Sequence, residues 1–175
     1  AAPSAGMLTA RHYEAVRGLL ETGAGSLNLP CGVRAQISAG RLRLGPATVE
    51  SDRETADVSL AVPGATRLGK GVILAEMVEM TDGPIAPTED PFEACMDMDS
   101  VRGALRARHP KRGDRMRPMG APGRRKLQDI LTDLRVPRWE RSSVVVVTLN
   151  DEPVWIAGYR IAEEVRLTSG TRRAL

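Results

Sequence analysis

Residues 110–141 read PKRGDRMRPMGAPGRRKLQDILTDLRVPRWER, a basic loop followed by a periodic apolar segment. Gly and Pro punctuate the first part too densely for a regular element. From Gly123 the pattern turns helical: Leu127, Ile130, Leu131 and Leu134 fall at i, i+3, i+4 and i+7, the spacing of one buried face. Val136-Pro137 stops it, because proline removes a donor and disfavours helix at the preceding residue. The spacing predicts a short helix starting near Gly123, with Arg124, Arg125 and Lys126 in its first turn. A helix start already carries partial positive charge. Three exposed cations there would each cost about 0.3–1 kcal/mol. An anion, phosphate above all, would offset them.

Outward from this stretch the period becomes that of strands. Val144–Leu149 and Pro153–Ala157 predict a hairpin turning at Asn150-Asp151, two residues that tolerate left-handed backbone. Glu164–Thr168 reads as a last strand. Upstream, Gly103–Arg108 predicts a strand with Leu105 and Ala107 facing the core and Arg106 and Arg108 facing out, and Glu93–Asp97 another. Residues 81–92 contain Pro84, Pro87 and Pro91 and read as an exposed excursion. Val58, Leu60 and Val62 alternate, and Val72–Met80 follows a Gly-rich turn, with Met77 and Met80 as core filling. Residues 46–57 read as an acidic loop. Leu27 and Leu29, Val33–Ser38 and Arg41–Leu44 predict strands joined by turns at Pro30-Cys31-Gly32 and Ala39-Gly40. A helix over Thr9–Thr22, capped by Thr9 and stopped by Gly23, follows a short lead-in. Eight or nine short strands with two or three helices, and no βαβ alternation, imply α+β built on a mostly antiparallel sheet or sandwich. The expected division is 1–25 as a helical lead-in ending a preceding helical domain, and 26–175 as the β-rich domain.

The chain has 175 residues, 42% hydrophobic but only 3% aromatic, so Leu, Val, Ile, Ala and Met must form its core. No apolar run approaches the ~20 residues of a membrane span. Cys31 and Cys95 form no CxxC pair, which points to reduced thiols and a cytoplasmic location. Two histidines leave almost no ligands for a structural metal. The net charge of +3 is unevenly distributed. Residues 1–101 carry eight Lys/Arg against fourteen Asp/Glu, a balance of −6, while 102–175 carry seventeen against eight, a balance of +9. Such asymmetry indicates an anionic partner for the second half, or a basic surface that is simply solvated.

The segments GDRMRPMG (113–120), GRRKLQDILTD (123–133), VPRWER (136–141) and VWIAGYRIAEEVRLT (154–168) occur in an order and spacing that resemble the C-terminal region of the tRNA(Ile)-lysidine synthetase family. The resemblance is close over residues 100–175 and looser upstream. It departs from the family pattern at Glu140-Arg141-Ser142-Ser143 and at the hairpin tip Asn150-Asp151. It implies an ATP-dependent ligase that converts the wobble cytidine of a tRNA(Ile) with a CAU anticodon to lysidine. It also implies a β-rich fold shared with a domain of the phenylalanyl-tRNA synthetase β subunit, and binding at the acceptor-stem side of the tRNA. The family's ATP site lies in an N-terminal catalytic domain opened by an SGGxDS-type loop, and these 175 residues contain no such loop. By the resemblance, this chain is the tRNA-recognition part, with no catalytic residue and no cofactor of its own. ATP with magnesium belongs to the full-length enzyme, and the N-terminal domain and a homodimer are the expected protein partners. No membrane is implied.

The residues expected to meet RNA are Arg115 and Arg117, which share a face if extended, the cluster Arg124, Arg125 and Lys126, and more weakly Arg138, Arg141 and Arg160. The structural alternative for Arg115 and Arg117 is a pair of bridges to Asp114, Asp129 or Asp133, and for at least one of Arg138, Arg141 and Arg160 a bridge to Asp129. Trp155 reads as core. Asp129 and Asp133 have no nucleophile, histidine or metal set to work with, which argues against catalysis there. A second reading of the whole is a protein-interaction module on a related β scaffold, its basic face neutralised by a partner or by the acidic half.

Overall fold

A computed structural model describes residues 7–47, 57–80 and 90–175. The lead-in over 1–6 and most of the loops expected over 46–57 and 81–92 lie outside the described residues. The chain divides into two compact units.

One unit comprises residues 7–47 and Arg135–Trp139. Its helix α1 (Ala10–Thr22) follows the predicted bounds, with Thr9 extended at the N-cap and Gly23 left-handed (φ 69°) beyond the end. The Thr9 N–H donates to His12 Nδ1 at 3.0 Å, an imidazole standing where a capping box uses Glu or Gln. Strands β1 (Gly25–Leu29), β2 (Val33–Ser38) and β3 (Arg41–Pro46) form an antiparallel sheet in that order. Ala39 (φ 54°) and Gly40 (φ 73°) make the tight β2–β3 turn, both left-handed as a two-residue hairpin requires. The register sets Ile37 opposite Leu42, and Ala35 opposite both Leu27 and Leu44, so one face is apolar. Helix α1 lies against β1 and β2. In the returning segment Val136 and Pro137 are buried, and the Arg138 N–H donates to Ser38 Oγ at 3.1 Å.

The other unit comprises 57–80, 90–134 and Glu140–Leu175. Its elements in order are β4 (Val58–Ser59), β5 (Gly64–Leu68), β6 (Gly71–Ala75), β7 (Val78–Glu79), β8 (Leu105–Arg108), β9 (Arg115–Met116), β10 (Arg125–Lys126), α2 (Leu127–Asp133), β11 (Val146–Leu149), β12 (Glu152–Ile156), β13 (Arg160–Ile161) and β14 (Arg173–Ala174). The central sheet is antiparallel with order β13-β12-β11-β8-β4. Its hairpin turns at Asn150 (φ 50°) and Asp151 (φ 67°), as the sequence predicts. Ala107, Val146, Val147 and Ile156 are buried in it, and α2 buries Leu127, Ile130 and Leu131. Each of those three side chains contributes about 1.5–3 kcal/mol of hydrophobic stabilisation. The α+β, mostly antiparallel class is the one expected.

Several expectations change. The helix begins at Leu127, because Arg125 and Lys126 pair with Met116 and Arg115, and the Leu127 N–H donates to the Asp114 carbonyl at 2.9 Å. Backbone groups already used in a ladder are not available for a helical turn. Glu93–Asp97 is no strand: Met96 exchanges backbone bonds with Leu175 (2.8 and 2.9 Å), and Asp97 bridges to Ala174. Glu164–Thr168 is replaced by a 3-10 turn over Glu163–Val165, and the last strand is β14, paired with β7. Strand β5 was not anticipated, since Gly64, Ala65 and Thr66 carry little apolar alternation. Met77 is 48% exposed and fills no core. Arg108, expected to face out, is 3% exposed.

Candidate nucleic-acid interface

The basic loop is held by an ion pair that strand periodicity hides. Arg108 Nη1 and Nη2 donate to Asp114 Oδ2 and Oδ1 at 2.8 and 2.9 Å, a planar two-bond fork. The same guanidinium donates to the carbonyls of His109 (3.0 Å) and Asp151 (3.3 Å), and Asp114 also accepts the Lys111 N–H at 2.7 Å. The loop after β8 is thereby tied to the tip of the β11–β12 hairpin. Beside it, Asp57 accepts Arg106 Nε at 2.7 Å and Lys111 Nζ at 3.1 Å. The hydrogen bond from Arg106 holds the Asp57 carboxyl below the usual carboxylate range; partial desolvation opposes this and Lys111 assists. A buried Arg needs a nearby acid, so Asp114 six residues on was the available signal for Arg108.

This frame presents β9 and β10. Their register sets Arg115 opposite Lys126, and Met116 opposite Arg125. Cross-strand partners share a face, so Arg115 and Lys126 are two like charges side by side, an arrangement that is locally unfavourable. Both are exposed, and neither side chain has a partner among the described residues. Met116 is 1% exposed and roots the ribbon in the core. Arg124 and Arg125 differ in being paired. Arg124 Nη1 lies 3.1 Å from Glu152 Oε1, with its Nη2 on the Arg115 carbonyl at 3.3 Å. Arg125 Nη2 lies 2.7 Å from Asp133 Oδ2.

The charge cluster proposed for a helix start is therefore a ribbon edge. Lys126 is the N-cap of α2, Arg124 and Arg125 precede it, and the helix-dipole argument does not apply to them. The need for an anion passes to the Arg115–Lys126 pair.

The remaining candidates disperse. Arg117 turns inward, its Nε donating to the Ala121 carbonyl at 2.9 Å, and it does not share an open face with Arg115. Its own carbonyl accepts the Glu163 N–H at 2.8 Å, while Glu163 Oε2 accepts the Gly120 N–H at 2.8 Å, which closes the GDRMRPMG segment onto the sheet. Arg160 is exposed on the edge strand β13. Arg141 is half-buried in a 3-10 turn over Arg141–Ser143, and Arg138 is exposed in the other unit. No bridge to Asp129 forms among the described residues. Trp155, read as core, is half-buried in β12.

Between β9 and the hairpin lies a shallow cleft of about 350 Å³, floored by Met116, Pro153 and Val165 and rimmed by Arg124, Glu152 and Glu164. Among the described residues no three His, Cys, Asp or Glu side chains converge as metal ligands, and no helix is long and apolar enough to cross a membrane.

Residues 105–174, which contain the fork, the ribbon and the hairpin, match the family described as the TilS substrate C-terminal domain. The chain is 35% identical over 158 residues to a tRNA(Ile)-lysidine synthase of Symbiobacterium thermophilum, covering 85% of this chain and 32% of that protein. It is 28% identical over 170 residues to that of Caldanaerobacter subterraneus, covering 94% and 35% respectively. It thus spans about a third of the length of these curated relatives. A solved structure described as the crystal structure of the TilS C-terminal domain superposes with a TM-score of 0.57 at 29% identity, covering 68% of this chain and 91% of that one. The chain belongs to the tRNA(Ile)-lysidine synthase family, of which it carries the TilS C-terminal domain.

Proposed function

We propose that this domain binds the phosphate backbone of tRNA(Ile) with a CAU anticodon, on its acceptor-stem side, through the β9–β10 ribbon. Arg115 and Lys126 are the central contacts, with Arg124 and Arg125 beside them. The observation that carries this reading is the exposed Arg115–Lys126 pair without a counter-ion among the described residues, on a ribbon anchored by Met116 and the Arg108–Asp114 fork. An A-form stem is recognised mainly by shape, phosphates and 2′-hydroxyls, which suits arginine and lysine on a rigid edge. Arg160 and Arg138 are secondary candidates, and Arg117 and Arg141 have weaker claims because they are partly buried.

In this reading the domain positions substrate and carries no chemistry. Conversion of the wobble cytidine to lysidine, with ATP and magnesium, belongs to an N-terminal catalytic domain preceding the helical lead-in over 1–25, in a cytoplasmic enzyme. Titration of the 175-residue chain with tRNA across a salt series tests it. Binding should weaken steeply with salt, the log–log slope falling by about 0.7–0.9 for each phosphate contact. Undetectable binding at low salt refutes it. Exposed Val72 and Leu74 on β6 favour a second reading as a protein-interaction module, which predicts concentration-dependent association in its place.

A further inference from the structure

We propose that Glu152 and Asp133 restrain the affinity of this surface for polyanions, by occupying Arg124 and Arg125 until phosphates displace them; this rests on the nucleic-acid reading above. Of the four cations at the ribbon, the two facing each other have no partner among the described residues and the other two are held. Arg124 reaches Glu152 at 3.1 Å and Arg125 reaches Asp133 at 2.7 Å. Neither carboxylate drifts on a loop. Glu152 opens β12 directly after the tight turn, in register with Leu149, and Asp133 is the last residue of α2.

Both pairs are solvated. The side chains are 44% and 64% exposed in one, 45% and 60% in the other, so the pairs are weak and exchange readily. A phosphate oxygen at the same distance makes an equivalent bond to the guanidinium. A polyanion touching only Arg115 and Lys126 therefore meets two charges. One whose phosphates also fall over Arg124 and Arg125 can displace both carboxylates and meets four. Such a ligand bears the cost of breaking both pairs, which one touching only two charges does not, so the carboxylates lower the affinity of the ligand that meets all four.

The test uses Glu152→Gln and Asp133→Asn in the 175-residue chain, singly and together. Glu164→Gln, in the same cleft, and Asp129→Asn, on the same helix, serve as controls: both are exposed and neither engages an arginine among the described residues. Each variant is titrated with tRNA and with heparin across a salt series, after circular dichroism shows that it is folded. Removing either carboxylate should tighten tRNA binding about two- to fivefold. Its salt slope should steepen by up to about 0.9, because no carboxylate is left to take up a cation. The gain for heparin should be no larger, since a ligand that leaves the carboxylates in place bears no cost of breaking the pairs; a larger gain for heparin would overturn the proposal. Equal gains from the controls would reduce the effect to net charge and overturn the proposal, as would weaker tRNA binding in Glu152→Gln. If the unmodified chain binds heparin but no tRNA, the nucleic-acid reading fails and the inference with it.

Discussion

Replacing Asp114 by alanine should destabilise the domain by about 3–5 kcal/mol, the cost of leaving a buried charge without its partner. Arg108 is 3% exposed and its Nε already lacks an acceptor, so after the substitution its charge is left facing only the carbonyls of His109 and Asp151. The Lys111 N–H loses its acceptor as well. Against a domain stability of about 5–15 kcal/mol this is a large fraction. At about 2–4 °C per kcal/mol for a chain of this size, the melting temperature should fall by roughly 6–20 °C. Urea denaturation of Arg108→Met, of Asp114→Asn and of the two together makes a closed double-mutant cycle. The double variant removes the buried charge while keeping an acceptor near Lys111, so it should cost less than Asp114→Ala alone. A loss below about 1 kcal/mol for Asp114→Ala, or strictly additive single effects, would refute the view that this fork holds the basic loop.

Arg115→Gln and Lys126→Gln should each reduce the tRNA salt slope by about 0.7–0.9. Their thermal stability should be unchanged or slightly raised, since each relieves a like-charge cross-strand pair. A melting temperature that falls with binding would instead make these residues structural. Asp57 has its pKa depressed in the folded state by Arg106, so its contribution is present above the ordinary carboxylate range near 3.9 and is lost as pH falls through the lower folded value. Asp57→Asn should therefore lower stability at neutral pH and flatten the acid limb of stability against pH, as followed by denaturation at several pH values. Gly158 has φ 81°, and a Cβ there would lie 3.0 Å from Phe92 Cε1. Gly158→Ala should cost about 1–2 kcal/mol from left-handed strain, with an additional steric part that Phe92→Ala relieves in chemical denaturation.

The parts that followed from the sequence are those with local causes. Asn150-Asp151 and Ala39-Gly40 favour left-handed backbone by their own chemistry, and the hairpins they close are present. Leu127, Ile130 and Leu131 line one helical face at any register, and they are buried. Two-residue strands such as β9, β10 and β14 have too little length to show a period, so their pairing could not be read locally. Strand alternation placed Arg108 with Arg106 on an outer face. It could not register that Asp114, in the following loop, makes burial of an arginine affordable there.

The sequence by itself determined the family, the antiparallel class and the concentration of positive charge in the second half, because these depend on residue identity and order. The tertiary structure alone decided which positive charges are available. It buried Arg108 against Asp114, turned Arg117 onto the Ala121 carbonyl, paired Arg124 and Arg125 with carboxylates brought near by folding, and left Arg115 beside Lys126 with no carboxylate partner among the described residues. Charge is a property of the residue, whereas its neutralisation depends on which distant carboxylate the fold brings within about 3 Å.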